Sequence, residues 1–265
     1  MLQNVLDPSM PLPFFMVFVV TAVFFVALMA TYFMFTVPIY WFYVIHNSDG
    51  AIQLQKKSPP KGQIQHEIFW STASMFQFSV WSTVVFFAWR SGFFPQLYIQ
   101  IDSMGWLYFG LSVVVLLLIQ DALFYFSHRL LHTRRFGRFH AIHHKSRVPT
   151  PFSMYSFHPV EALFHFVRMP LVMLVFPLSP FAILISEGVS NTINAYGHLN
   201  YEPKWMRRFK AVYTISAATG VYHNLHHSNG KGNFGFYLRF WDRKMGTYLS
   251  ETDDLVDELH QQWDS

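Results

Sequence analysis

Apolar residues fall into four blocks along the chain. No Asp, Glu, Lys or Arg occurs between Pro8 and Ser48, and residues 14–45 are almost wholly apolar. A bilayer span takes about 20 such residues, so a run of 32 predicts either one long tilted helix or a tight hairpin near Pro38. Asp7 stands where a cleaved signal peptide would carry its basic region, and the run is too long for one, so this block reads as an anchor. A second span fits 68–89 and a third fits 103–120. The fourth block, 159–196, is interrupted by Pro170, Pro177 and Pro180. It reads as a hairpin turning at 177–180, because the His-rich segments on either side of it must meet.

The polar segments between these blocks carry the positive charge. Lys56, Lys57 and Lys61 lie in 46–67, six Lys/Arg in 127–158 and eight in 199–265, together 17 of the 19 basic residues. If these segments share one side, the positive-inside rule makes that side cytoplasmic. The expected fold is an all-α integral membrane protein, with about four transmembrane helices and a His-bearing cytosolic helical cap. Composition agrees. Charged residues make up 13% of the chain, against about 25% in an average soluble domain, which excludes an ordinary soluble enzyme. Cysteine is absent, which excludes disulfides, iron–sulfur clusters and thiolate-ligated haem. No basic cluster carries stacking aromatics, so no nucleic-acid partner is expected.

Ten of the 14 histidines fall in five places. His128 and His132 form HxxxH. His140, His143 and His144 form HxxHH, and so do His223, His226 and His227, while His158 and His198 stand apart. Residues three and four apart share a helix face, so each HxxHH can aim three imidazoles at one point. With 14 histidines in 265 residues, one HxxHH is expected by chance about 0.04 times per chain. Neutral imidazole suits Fe, Zn, Cu and Ni. The motifs with His198 offer nine imidazoles, too many for one ion and suited to two ions with four or five ligands each. A pH-sensing or merely solvated histidine face is the plainer alternative. Asp121, Tyr125, His128 and His132 line one stripe. An intramembrane carboxylate is a functional candidate by default: Asp121 either orients a ligating imidazole or pairs with a base such as Arg129.

The order HxxxH, HxxHH, HxxHH around hydrophobic hairpins resembles the fatty acid hydroxylase/sterol desaturase superfamily of membrane di-iron enzymes. Within 139–162 the run HHK…PTPF…FHP is most similar to the C5-sterol desaturase branch, and 222–248 adds Asn-x-Gly before an aromatic run and a closing WDR-x-x-GT. The resemblance covers about 115–250 and implies that His128, His132, His140, His143, His144, His198, His223, His226 and His227 bind two Fe ions. O2 would be the co-substrate, and a lipid from the bilayer (sterol, fatty acyl or sphingoid) would be hydroxylated or desaturated at an unactivated C–H position. Some relatives place a further His where this chain has Asn194, which could hold a metal-bound water or be structural. His158 is either a ligand or a helix-entry residue. Asp121, Tyr125 and Asn194 are the candidate catalytic residues beside the metals.

The division expected is 1–114 as N-terminal transmembrane helices, 115–250 as the catalytic domain with its membrane hairpin near 159–196, and 251–265 as an acidic C-terminal tail. The glycines of 230–235 do not follow a strand, so no nicotinamide or flavin fingerprint is present. Electrons would then come from a partner such as cytochrome b5 or ferredoxin with its reductase. Arg168 and His165 either anchor a lipid headgroup or sit at the membrane interface, with the interface favoured, and 241–243 is expected as a structural clasp. The C-terminus carries no basic retrieval signal, which points to a bacterial inner membrane rather than the endoplasmic reticulum. Two other readings compete with an oxidase: a zinc- or copper-binding membrane transporter or store without oxidase activity, and a bis-His haem protein.

Overall fold

A computed structural model describes residues 13–46, 50–94 and 97–264. Asp7 and the rest of 1–12, the end of the first charge-free stretch at 47–49, and Ser265 lie outside the described residues. The chain is mostly helical. Its only described sheet is a two-residue antiparallel pair, β1 (Ile52–Gln53) with β2 (Tyr201–Glu202).

Helix α1 (Met16–Tyr40) runs through Pro38 and continues as a π-helical turn, Trp41–Ile45, so the first block is one helix and not a hairpin. Proline removes one i→i−4 hydrogen bond, and the wider turn that follows restores the chain's path. α1 is apolar on all sides, and Phe18, Val23, Val26 and Met34 are each more than 60% exposed. A soluble protein does not present such a surface. Among the described residues, two helices are long and apolar enough to cross a membrane: Met16–Ile45, and α3 at Trp106–Leu131. The expected count of four spans therefore has two supports of this kind.

The second block is α2 (Gln63–Arg90), which packs along α1. It buries Ser71, Ser74, Ser79 and Thr83. Small side chains let two helices approach closely in lipid, and the Oγ1 atoms of Thr21 and Thr83 meet at 3.0 Å. α3 continues eleven residues beyond the expected span end at 120 and so carries His128 on the same helix as the third span. The division at 114/115 falls inside α3, which both regions share. The fourth block is the expected hairpin, α5 (Pro159–Val175) and α6 (Pro180–Gly197), turned by Ser179, whose hydroxyl caps α6 at Phe181 N. Between α3 and α5 lie the short α4 (Gly137–His140) and two 3-10 turns, His143–Lys145 and Pro151–Tyr155. Tyr32 and Ser71 both donate to the Phe152 carbonyl, at 2.8 and 2.9 Å, and so tie the second turn to α1 and α2.

The cap comprises α7 (Lys210–Ile215), α8 (Gly220–Asn229), α9 (Phe240–Met245) and α10 (Glu251–Asp264). The expected acidic C-terminal tail, 251–265, is helical over its described residues. α10 is amphipathic and buries Leu259 and Trp263 against Met206, Tyr213 and Val221. Burial of each such side chain contributes about 1.5–3 kcal/mol, enough to hold an acidic helix down.

Candidate metal centre and its cavity

The two HxxHH motifs fold alike. His143 and His144 lie at 88° with centroids 5.7 Å apart, and His226 and His227 at 87° and 5.8 Å. His140 stacks on His143 at 27°, and His223 on His226 at 21°. Adjacent imidazoles therefore point to different places, and the motifs trade members. One group is His128, His132, His140, His144 and His226; the other is His143, His198, His223 and His227. The structure thus brings together all nine histidines named from the sequence, in two groups that can each hold a metal ion. His158 joins neither: its Nδ1 accepts from Val160 N at 3.1 Å and caps α5, which settles it as a helix-entry residue.

Within each group the ring nitrogens converge. Nε2 atoms of His128 and His140 are 3.2 Å apart, of His132 and His144 3.2 Å, and of His144 and His226 3.1 Å. In the second group the separations are 3.3 Å for His143 and His198, 3.0 Å for His198 and His223, and 3.1 Å for His223 and His227. An ion about 2.1 Å from each nitrogen requires ligands about 3.0 to 3.4 Å apart, from octahedral to tetrahedral.

Outer partners decide which nitrogen carries the proton. Nδ1 of His128 donates to the Phe234 carbonyl (3.0 Å), that of His226 to the Gly232 carbonyl (2.7 Å) and that of His198 to the Asn194 carbonyl (2.7 Å). His140 Nδ1 meets the Glu161 carboxylate at 2.6 Å. A carbonyl only accepts, so Nε2 of His128, His198 and His226 is left with its lone pair, aimed inward. Converging lone pairs repel unless a cation stands among them, and the donor set fits that requirement. Burial holds His140 and His226 down to about 3 and His198 down to about 4, so the imidazoles stay neutral.

The loop 230–235 supplies two of those carbonyls. Gly230 closes α8 in the left-handed region (φ 69°). A Cβ on Gly232 would lie 2.3 Å from the Thr247 carbonyl, so only glycine fits there. Asp242 staples the loop, accepting from Phe234 N (2.9 Å), Gly235 N (2.7 Å), Thr247 Oγ1 (2.8 Å) and the Tyr222 hydroxyl. The clasp at 241–243 is thus a support for His128 and His226.

The three candidate catalytic residues are held in different ways. Asp121 is buried, but it accepts from Tyr237 N (2.8 Å) and Leu238 N (3.2 Å) and is hydrogen-bonded to no imidazole. It fixes the chain that follows the glycine loop, because two amides there lack another acceptor. Tyr125 bonds Thr247 Oγ1 at 2.8 Å and stacks on Trp241, as a brace. Asn194 donates from Nδ2 to the Met154 carbonyl at 3.1 Å and lines the cavity beside His198. Glu161 was not singled out. Its only sequence signal was a carboxylate in an apolar helix, 21 residues from the histidine it holds.

A cavity of about 960 Å³ runs from α1 and α2 to the histidines, reaching His128, His140, His143, His198 and His223. Its walls are mostly aromatic and aliphatic, with Phe and Met the commonest of these. A smaller polar cleft of about 400 Å³ reaches His132, His140, His144 and His227 and is bordered by Arg147. Arg168 and His165, expected at the membrane interface, line the large cavity instead: the turn of α5 that holds Glu161 also points them inward.

A family model for fatty acid hydroxylase matches residues 113–247. Mouse lathosterol oxidase is 31% identical over 193 residues, 71% of this chain and 62% of that protein. The Delta(7)-sterol 5(6)-desaturase of Saccharomyces cerevisiae is 27% identical over 190 residues, 69% of this chain and 50% of its own length. The chain thus spans roughly three-fifths or less of these curated relatives. No solved structure matches it.

Proposed function

Because the chain belongs to the fatty acid hydroxylase/sterol desaturase superfamily, we propose that it is an O2-dependent membrane oxidoreductase with two iron ions. Its substrate is a lipid that enters the cavity from the bilayer and is hydroxylated or desaturated at an unactivated C–H position. The observation that carries this reading is the convergence of carbonyl-oriented imidazole lone pairs into two groups at the wall of an apolar chamber. Iron bound there supplies the reductive activation of O2 that such a bond requires. This chain's own residues do the rest. Gly232, Phe234 and Asn194 carbonyls and Glu161 hold the rings in one tautomer, and such outer partners raise metal affinity 10–100-fold in general. The apolar walls seat the alkyl body and exclude water. Asn194 Oδ1, with no partner among the described residues, can accept from a water beside His198.

Electrons enter from the opposite side. The polar cleft brings His132 and His144 nearest to solvent, and the exposed Arg134, Arg135, Arg138 and Lys145 flank its lining residues in sequence. That charge suits an acidic carrier of the cytochrome b5 or ferredoxin type on the cytoplasmic side. The test is metal content of detergent-purified protein from iron-supplied cells, with product mass from a reconstituted assay. About two metals per chain, with loss of two hydrogens (desaturation) or gain of one oxygen (hydroxylation), is expected. Zero or one metal, or a haem absorption band, would overturn the proposal.

A further inference from the structure

Besides Glu161, which holds His140, two charged side chains line the large cavity among its apolar walls. Arg168 comes from α5 and Glu187 from α6, the two arms of the hairpin. Charges placed at such depth are costly and mark function. Among the described residues they are not joined to one another by an ion pair or hydrogen bond. Arg168 gives Nε to the His165 carbonyl and Nη2 to His165 Nδ1, both at 3.2 Å, and lies 5.1 Å over the Phe124 ring. Its Nη1 has no partner among the described residues. At Glu187 only the main-chain carbonyl is engaged, by Asn191 Nδ2 at 2.8 Å. The neighbouring hydroxyls are already taken: Tyr155 donates to Asn191 Oδ1 at 2.7 Å, and Tyr237 is bonded to Ser190. One donor and one carboxylate are thus left facing an apolar space.

We infer that Arg168 and Glu187 form a polar subsite for the hydroxyl group of a lipid alcohol. The inference rests on the cavity being the substrate chamber. A hydroxyl accepts from the guanidinium and donates to the carboxylate, so it completes both at once. A fatty acid or phosphate would satisfy Arg168 but set a second negative charge against Glu187, and an amine would do the reverse. Anchoring one end of the lipid on the hairpin fixes the length between that end and the histidines. Arg168 and Glu187 are therefore positioning residues that select which carbon is presented.

The experiment uses the full chain in phosphatidylcholine nanodiscs. Binding of tritiated cholestanol is competed by cholestanol, its methyl ether, hexadecanol, hexadecyl methyl ether and palmitate, and metal content is measured on the same samples. At least one alcohol is expected to bind about tenfold or more tighter than its methyl ether, and palmitate more weakly than hexadecanol. Arg168→Met and Glu187→Gln should each narrow the alcohol-to-ether ratio to about twofold. Equal binding of alcohol and ether, no binding of either alcohol, preference for palmitate, or an unchanged ratio in the variants would overturn the subsite. If Arg168→Met does not survive purification, the near-isosteric Glu187→Gln decides alone. Normal metal content without alcohol preference removes the subsite and leaves the dinuclear reading; alcohol preference without metal does the opposite.

Discussion

His128 and His132 enter the five-histidine group four residues apart, the second of them capping α3. The matching place beside the four-histidine group is held by Asn194 and His198, also four apart, with His198 capping α6. The backbone repeats too: His132 N reaches the His128 carbonyl at 3.1 Å and His198 N the Asn194 carbonyl at 3.2 Å. One plan is used twice, with asparagine in place of one imidazole. The outer supports differ as well. Three rings of the larger group have an Nδ1 acceptor at 3.0 Å or less, from Phe234, Glu161 and Gly232. In the smaller group His198 has one, while Nδ1 of His143 and of His227 is buried without a partner. Of the four supported rings, His128, His140 and His198 line the large cavity, whereas His227, without an Nδ1 partner, lies on the polar cleft. The outer supports are thus concentrated at the wall of the large cavity.

Removing a ligand from either group breaks the comparison outright. His226→Ala and His143→Ala are each expected to abolish turnover and lower metal content while the protein still inserts, read by product formation and metal analysis. Wild-type activity in both would refute the shared centre. A subtler change equalises the groups. Glu161→Gln replaces the carboxylate that holds His140, and should weaken metal binding in the larger group by about 10–100-fold, measured by competition with a chelator. In the wild type the same chelator should remove metal in two phases, the smaller group first. Asn194→His sharpens the contrast from the other direction: a fifth imidazole should slow that first phase. The smallest effect is expected from His158→Ala, which removes a helix cap worth about 1 kcal/mol. It should lower thermal stability slightly and leave metal content unchanged.

The histidines were legible because their chemistry is carried by local spacing, which a helical turn converts directly into a shared direction. The hairpin at 177–180 was legible for a similar reason, since three prolines leave few other places to turn. What the sequence did not reveal depends on residues far apart. Glu161 meets His140 only when α5 returns alongside α4, and the carbonyls of Gly232 and Phe234 carry no side-chain signal. Asp121 misled in an instructive way. A buried carboxylate needs hydrogen-bond donors, but main-chain amides serve as well as imidazoles, and the sequence does not distinguish them. Pro38 left a long helix and a hairpin both open, because a proline in a membrane helix can be absorbed by a wider turn or mark a reversal, and packing decided for the helix. Arg168 carries charge in an apolar segment, and only packing decides whether such a group reaches outward to the interface or inward to a cavity.

His143 and His144 are joined by a single peptide unit, yet they belong to different groups, and the same holds for His226 and His227. Two such dipeptides straddle the centre like the jaws of a caliper. The gap between two ions held there would therefore be gauged partly by covalent geometry, which does not stretch, and not only by the distance between helices, which does. If α8 or the turn at His143–Lys145 shifts, both groups would move with it.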